Sequence, residues 1–211
     1  MLISWTNYGL FILASLVLIL VPGPDMLFML GRSIAQGRRA GVVAALGINA
    51  GGYVHLAAAI TGLSAILLTS ALAFTIVKWA GAAYLIYLGI SALRDRASAI
   101  NLETGELAPR RLRAVFVQGF LSDVLNPKVA VFFLALLPQF VDLKAGHPVA
   151  QLILLGLTAN MLAIAINLVL VLLSARISRG LRGNPRIARR LQSAMGLLFI
   201  GLGARLATER M

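Results

Sequence analysis

Six stretches of this sequence are apolar over the roughly 20 residues that a helix needs to cross a hydrocarbon core of about 30 Å. They run from Trp5 to Gly31, Ala40 to Leu68, Leu72 to Leu93, Ala114 to Phe140, Val149 to Ala175 and Leu191 to Ala207. Apolar residues make up 60% of the chain and charged residues only 12%, about half the charge of a soluble domain. Most of it is therefore expected in lipid, as an all-α integral membrane protein of six transmembrane helices. The first run follows no positive charge and has Pro-Gly-Pro at 22–24, where a signal peptide would need a small-residue cleavage site. It is expected to stay in the membrane.

The net charge of +12 suggests nucleic acid at first sight. The basic residues, however, sit in short clusters between the apolar runs, with no basic face interleaved with aromatics, so no nucleic-acid partner is expected. Their distribution instead follows the positive-inside rule. Arg32, Arg38 and Arg39 follow run one; Arg94, Arg96, Arg110, Arg111 and Arg113 follow run three; Arg176, Arg179, Arg182, Arg186, Arg189 and Arg190 follow run five. These fourteen of the nineteen basic residues place the loops after odd runs in the cytoplasm and both termini outside. Trp5, Tyr8 and Trp79, with Lys78 beside the last, fall where an outer aromatic belt is expected.

Residues 94–113 form the longest link, polar and of mixed charge, and too short to fold alone. The chain reads as one transmembrane domain: a first repeat over 1–93, this cytoplasmic loop, and a second repeat over 114–211. Three runs per half is an odd number, so related halves would have inverted topology, as in many secondary transporters. Pro24-Asp25 aligns with Pro127-Lys128 at an offset of 103, and Asn49 and Asn160 lie at comparable depth in runs two and five.

Runs one and four are both broken. In Val21-Pro22-Gly23-Pro24-Asp25 each proline removes an N–H and clashes one turn back. A new helix is expected with Gly23 as N-cap, Pro24 at N1 and Asp25 at N2, where a carboxylate meets the positive end of the dipole. Asn126-Pro127-Lys128 repeats the pattern with Asn126 as cap and Lys128 at N2. A lysine there adds charge to an already positive end inside lipid and requires a nearby anion. Two readings follow. Asp25 and Lys128 form a structural ion pair between the halves, or they and the half-helix ends bind a zwitterion, its carboxylate at Lys128 and its ammonium at Asp25.

Other polar residues inside the runs are Asn49, His55, Tyr84, Tyr87, Gln118, Asp123, Asn160 and Asn167. Asp25, His55 and Asp123 are the candidates for proton coupling, histidine because imidazole titrates near neutrality. Asp123 either lines the cytoplasmic approach or pairs with an arginine from the rim. The asparagines are ordinary interhelical hydrogen bonders, and the matched depth of Asn49 and Asn160 adds them to the substrate-binding candidates, Gly23, Pro24, Asp25, Asn126, Pro127 and Lys128. Small-residue faces such as Gly47-xxx-Gly51 indicate close helix packing. Such faces also pair copies of a chain, so a homodimer is among the partners the sequence allows, with membrane lipid and a zwitterionic small molecule. With no cysteine and two distant histidines, His55 and His147, no metal or cofactor is implied.

Val21-Pro-Gly-Pro-Asp-Met-Leu-Phe, Gly37-Arg-Arg-Ala-Gly-Val, Lys78-Trp-Ala-Gly-Ala-Ala-Tyr-Leu-Ile-Tyr-Leu-Gly, Leu125-Asn-Pro-Lys-Val-Ala-Val-Phe-Phe-Leu and Leu137-Pro-Gln-Phe-Val together resemble the LysE/RhtB family of amino-acid exporters, closer to its homoserine and threonine branch. The resemblance covers nearly the full chain in order and is weakest at 97–109 and in the last run. It implies an inner-membrane exporter of amino acids or related metabolites driven by the proton gradient. Its motif residues fall on Pro22, Gly23, Pro24 and Asp25 and on Asn126, Pro127 and Lys128. A passive small-solute channel is the alternative. A membrane enzyme lacks support, since His55, Asp25 and Asp123 make neither a triad nor a metal-ligand spacing.

Overall fold

The computed structural model describes residues 2–63, 71–94 and 110–183 and scattered positions between 193 and 207. Among these residues all regular structure is helical. Helix α1 (Trp5–Leu20) starts at Ser4, whose Oγ accepts the Asn7 N–H at 3.3 Å. Val21 leaves the helix in an extended conformation, because Pro22 has no N–H to continue it. Helix α2 (Pro24–Gln36) begins with Gly23 as cap and proline in its first turn, and is bent by 55° from α1. Gly37 ends α2 at φ 88°, a conformation suited to glycine, and α3 (Arg38–Ala58) follows at once, closing in a π-helical turn over Ala59–Leu63.

Helix α4 (Ala71–Arg94) coincides with the third apolar run. Helix α5 (Leu112–Val124) meets the short α6 (Pro127–Val131) at the second proline break. The chain then loosens into a π-helical turn, Phe132–Leu136, and tightens into a 3-10 turn, Leu137–Phe140. This second half is bent by 48° from α5. The long α7 (Pro148–Gly183) completes the described elements. Among the described residues, two uninterrupted helical stretches, Arg38–Gly62 and Pro148–Ser174, are long and apolar enough to cross a bilayer, and the two bent pairs raise the number to four. The 95–109 loop and the basic cluster at 186–190 lie outside the described residues, as does much of the sixth run.

The centre is built on α3, which packs against α2, α5 and α7, most extensively against α5. Glycine makes that approach possible. A Cβ on Gly47 would collide with the Phe116 carbonyl, and one on Gly119 would lie 2.7 Å from the Ala44 oxygen. The small-residue face read from the sequence is thus used within the chain. One apolar cluster gathers Phe11, Leu18, Phe132, Leu137, Leu152 and Leu155; another gathers Met29, Leu30, Ala44, Ile48, Val115 and Val171. Trp5, Trp79, Met161, Leu172 and Leu197 are exposed, whereas Asp25, His55, Asp123, Asn126 and Asn160 are buried. Apolar side chains outside and polar ones inside suit a surface solvated by lipid.

Candidate functional site

Removing the N–H at Pro22 deprives the Leu18 carbonyl of its ordinary partner four residues on. The Val21 carbonyl is left open as the helix ends. Both oxygens are taken by the Lys128 ammonium, which donates to Leu18 at 3.3 Å and to Val21 at 3.0 Å. Gly23 makes room for it, since a Cβ there would lie 3.2 Å from Nζ. A cation is favourable at a helix C-terminal end, so Lys128 serves as the cap that proline denied α1.

At the second break Asn126 caps α6 as expected, its Oδ1 accepting the Lys128 N–H at 2.9 Å. The N–H groups of Val129 and Ala130 go to the Asn126 carbonyl, both at 3.1 Å. These α6 amides are therefore already satisfied, and a bound carboxylate would meet the lysine side chain rather than the backbone. Asn126 also donates through Nδ2 to Asp25 Oδ2, and Ser122 Oγ donates to Asp25 Oδ1 at 2.6 Å. Each break thus supplies the charged residue that the other uses: Lys128 closes α1, and Asp25 gathers the α5–α6 turn. No ion pair within 4.0 Å joins Asp25 to Lys128.

The two breaks open on one cavity of about 80 Å³, room for several waters at roughly 10–15 Å³ each by the same measure. Its polar lining is Ser15, Asp25, Asn49, Asp123, Lys128, Asn160 and Asn167, and its apolar wall includes Leu18, Met26, Ile48, Phe132 and Phe133. Asn49 reaches across from α3 to α7, its Nδ2 donating to the Asn160 carbonyl at 2.9 Å. His55 lies behind the wall, stacked on Phe133 at 6.1 Å between centroids. Its Nε2 donates to the Asp123 carbonyl oxygen at 2.9 Å and lies 4.0 Å from Asp123 Oδ2. Asp123 therefore faces His55 and the cavity, which Asp25 and Lys128 also line.

Of the residues singled out in the sequence, Asp25, Asn49, Asp123, Lys128, Asn160 and Asn167 meet at this cavity, with Gly23, Pro24, Asn126 and Pro127 shaping the breaks around it. Gln118 instead accepts from Arg32 at 3.3 Å, and Tyr84 and Tyr87 neighbour each other on α4 at 6.1 Å. Two hydroxyls escaped the reading. Ser122 precedes Asp123 in the last turn of α5, four residues before the cap Asn126. Ser15 shares a helical face with Phe11 and Leu18, a register that could have flagged it.

The sequence profile described as "LysE type translocator" matches residues 16–210. The leucine efflux protein of Salmonella typhimurium (strain LT2) is 30% identical over 203 residues, which cover 96% of this chain and 95% of that protein. An uncharacterized membrane protein of Vibrio cholerae (strain N16961) is 33% identical over 206 residues, covering 98% and 97% respectively. No solved structure matches the chain. Near-complete coverage by the family profile and by these relatives, on a fold whose apolar helices face outward, establishes a multi-pass membrane protein that belongs to the LysE type translocator family.

Proposed function

We propose that the chain is a secondary-active exporter that moves amino acids or closely related zwitterions out of the cytoplasm. The observation that carries this reading is the single cavity at which both proline breaks meet, lined by carboxylates, an ammonium and amides against an apolar wall. A carrier needs such a site: charged enough to compensate a zwitterion, with Asp25 and Lys128 already bonded within the protein, so that binding remains weak enough to release. The name of the 30%-identical leucine efflux protein supports the same class.

In this reading the chain is one transmembrane domain, 1–93 and 114–211 being inverted three-helix repeats joined by the 94–113 loop. The two proline-started half-helices, bent by 55° and 48°, support the pairing of runs one and four. The cavity lies near the bilayer midplane of the inner membrane, with both termini outside. Export runs against protons, carried by Asp25, His55 or Asp123. In proteoliposomes, wild-type protein should give saturable amino-acid counterflow and Lys128→Met should abolish it while the protein still inserts. Conductance without saturation or counterflow would establish the channel alternative, and an export rate indifferent to collapse of the pH gradient would remove proton coupling.

A further inference from the structure

We propose that three buried polar atoms form the docking set for an amino-acid headgroup. Asp123 rather than Asp25 receives the ammonium, and Ser15 and Asn160, with the free donor of Lys128, receive the carboxylate. This rests on the exporter reading and adds to it which groups read the substrate.

Ser15 Oγ, Asn160 Nδ2 and Asp123 Oδ2 are buried and have no hydrogen-bond partner. All three residues line the same cavity. Unmade bonds at buried polar atoms are rare and costly, and three around one space point to a polar occupant. Their chemistry is complementary to a zwitterion: an amide nitrogen only donates, a carboxyl oxygen without a proton accepts, and a hydroxyl can donate. Asp25 is poorly placed to receive an ammonium, because its two oxygens already accept from Ser122 and Asn126. Lys128 uses two of its three donors on the Leu18 and Val21 carbonyls, which leaves the third for a substrate carboxylate. Asn49 fastens the Asn160 backbone and so fixes where that side-chain amide projects. Leu18, Met26, Ile48 and Phe132 on the apolar wall then take an aliphatic side chain.

The test uses the full-length purified protein, with binding of labelled L-leucine read in detergent and counterflow read in proteoliposomes. Competitors are 3-methylbutylamine, which lacks the carboxylate, and 4-methylpentanoate, which lacks the ammonium. Asp123→Asn should weaken leucine binding about tenfold or more and abolish competition by the amine while that by the acid survives. Ser15→Ala and Asn160→Ala should do the reverse, weakening competition by the acid. Thermal unfolding shows that each variant is folded, and Ser15→Ala removes a single oxygen, so at least one arm survives a folding failure elsewhere. The assignment is overturned if Asp25→Asn rather than Asp123→Asn loses the amine, or if Asp123→Asn loses both competitors alike. Leucine binding without counterflow overturns the exporter reading and leaves the competitor arms to decide the docking set. A wild type that binds no leucine overturns the docking set with its aliphatic wall, and counterflow of other amino acids then decides the exporter reading.

Discussion

Lys128 illustrates how one side chain can be required by an atom missing elsewhere. The absent N–H at Pro22 frees a carbonyl, and the ammonium fills the gap at the end of α1. Lys128→Met should therefore unfold at lower temperature as well as lose transport, since each buried carbonyl left unsatisfied costs ~1–3 kcal/mol. The charge-swapped Asp25→Lys, Lys128→Asp double variant should not recover counterflow, because an aspartate at 128 cannot donate to carbonyls; recovery would mean that the pair acts through mutual charge. Asn126→Ala removes both the α6 cap and a donor to Asp25. The lost cap alone should cost about 0.5–2 kcal/mol, read as a lower unfolding temperature. That these residues matter was legible, because proline, asparagine and a charge in lipid are each locally conspicuous. Their partners were not, since a carbonyl oxygen has no letter in the sequence.

The broken helices are a balance between proline and what replaces its missing bond. Pro22→Ala restores an N–H that can reach the Leu18 carbonyl, so α1 should lengthen and compete with Lys128 for it. Expected is reduced counterflow with unfolding temperature preserved or raised; unaltered transport would show that the break does not set the site. The approach of α3 to α5 depends on bare glycine backbone. Gly47→Val should lower the unfolding temperature sharply or prevent recovery of folded protein, because the added carbons meet the Phe116 carbonyl rather than a yielding side chain. The breaks and caps of α2 and α6 follow from local chemistry and were legible. The π-helical turn over Phe132–Leu136 and the 3-10 turn after it were not, because winding there answers to packing against α4 and its neighbours.

Among the described residues, large apolar side chains such as Trp5, Met161 and Leu172 are exposed while Asp25, His55, Asp123 and Asn160 are buried, and a membrane supplies the reason. Orientation can be tested directly, because the chain has no cysteine. A cysteine at Asn101 should react in intact cells only with membrane-permeant thiol reagents, and one at Lys144 should also react with impermeant reagents; the opposite pattern would reverse the topology read from the arginines. Hydropathy, proline breaks and the arginine clusters were written in the sequence because each acts locally, through transfer of a side chain into lipid, a missing N–H, or a charge beside a membrane end. Tertiary structure alone decided that Asp25 holds the α5–α6 turn, that Lys128 closes α1 without pairing with Asp25, and that Ser15, Asn160 and Asp123 surround one cavity with polar atoms to spare. Those outcomes depend on which groups distant in sequence reach bonding distance, and that distance is set by the packing of whole helices.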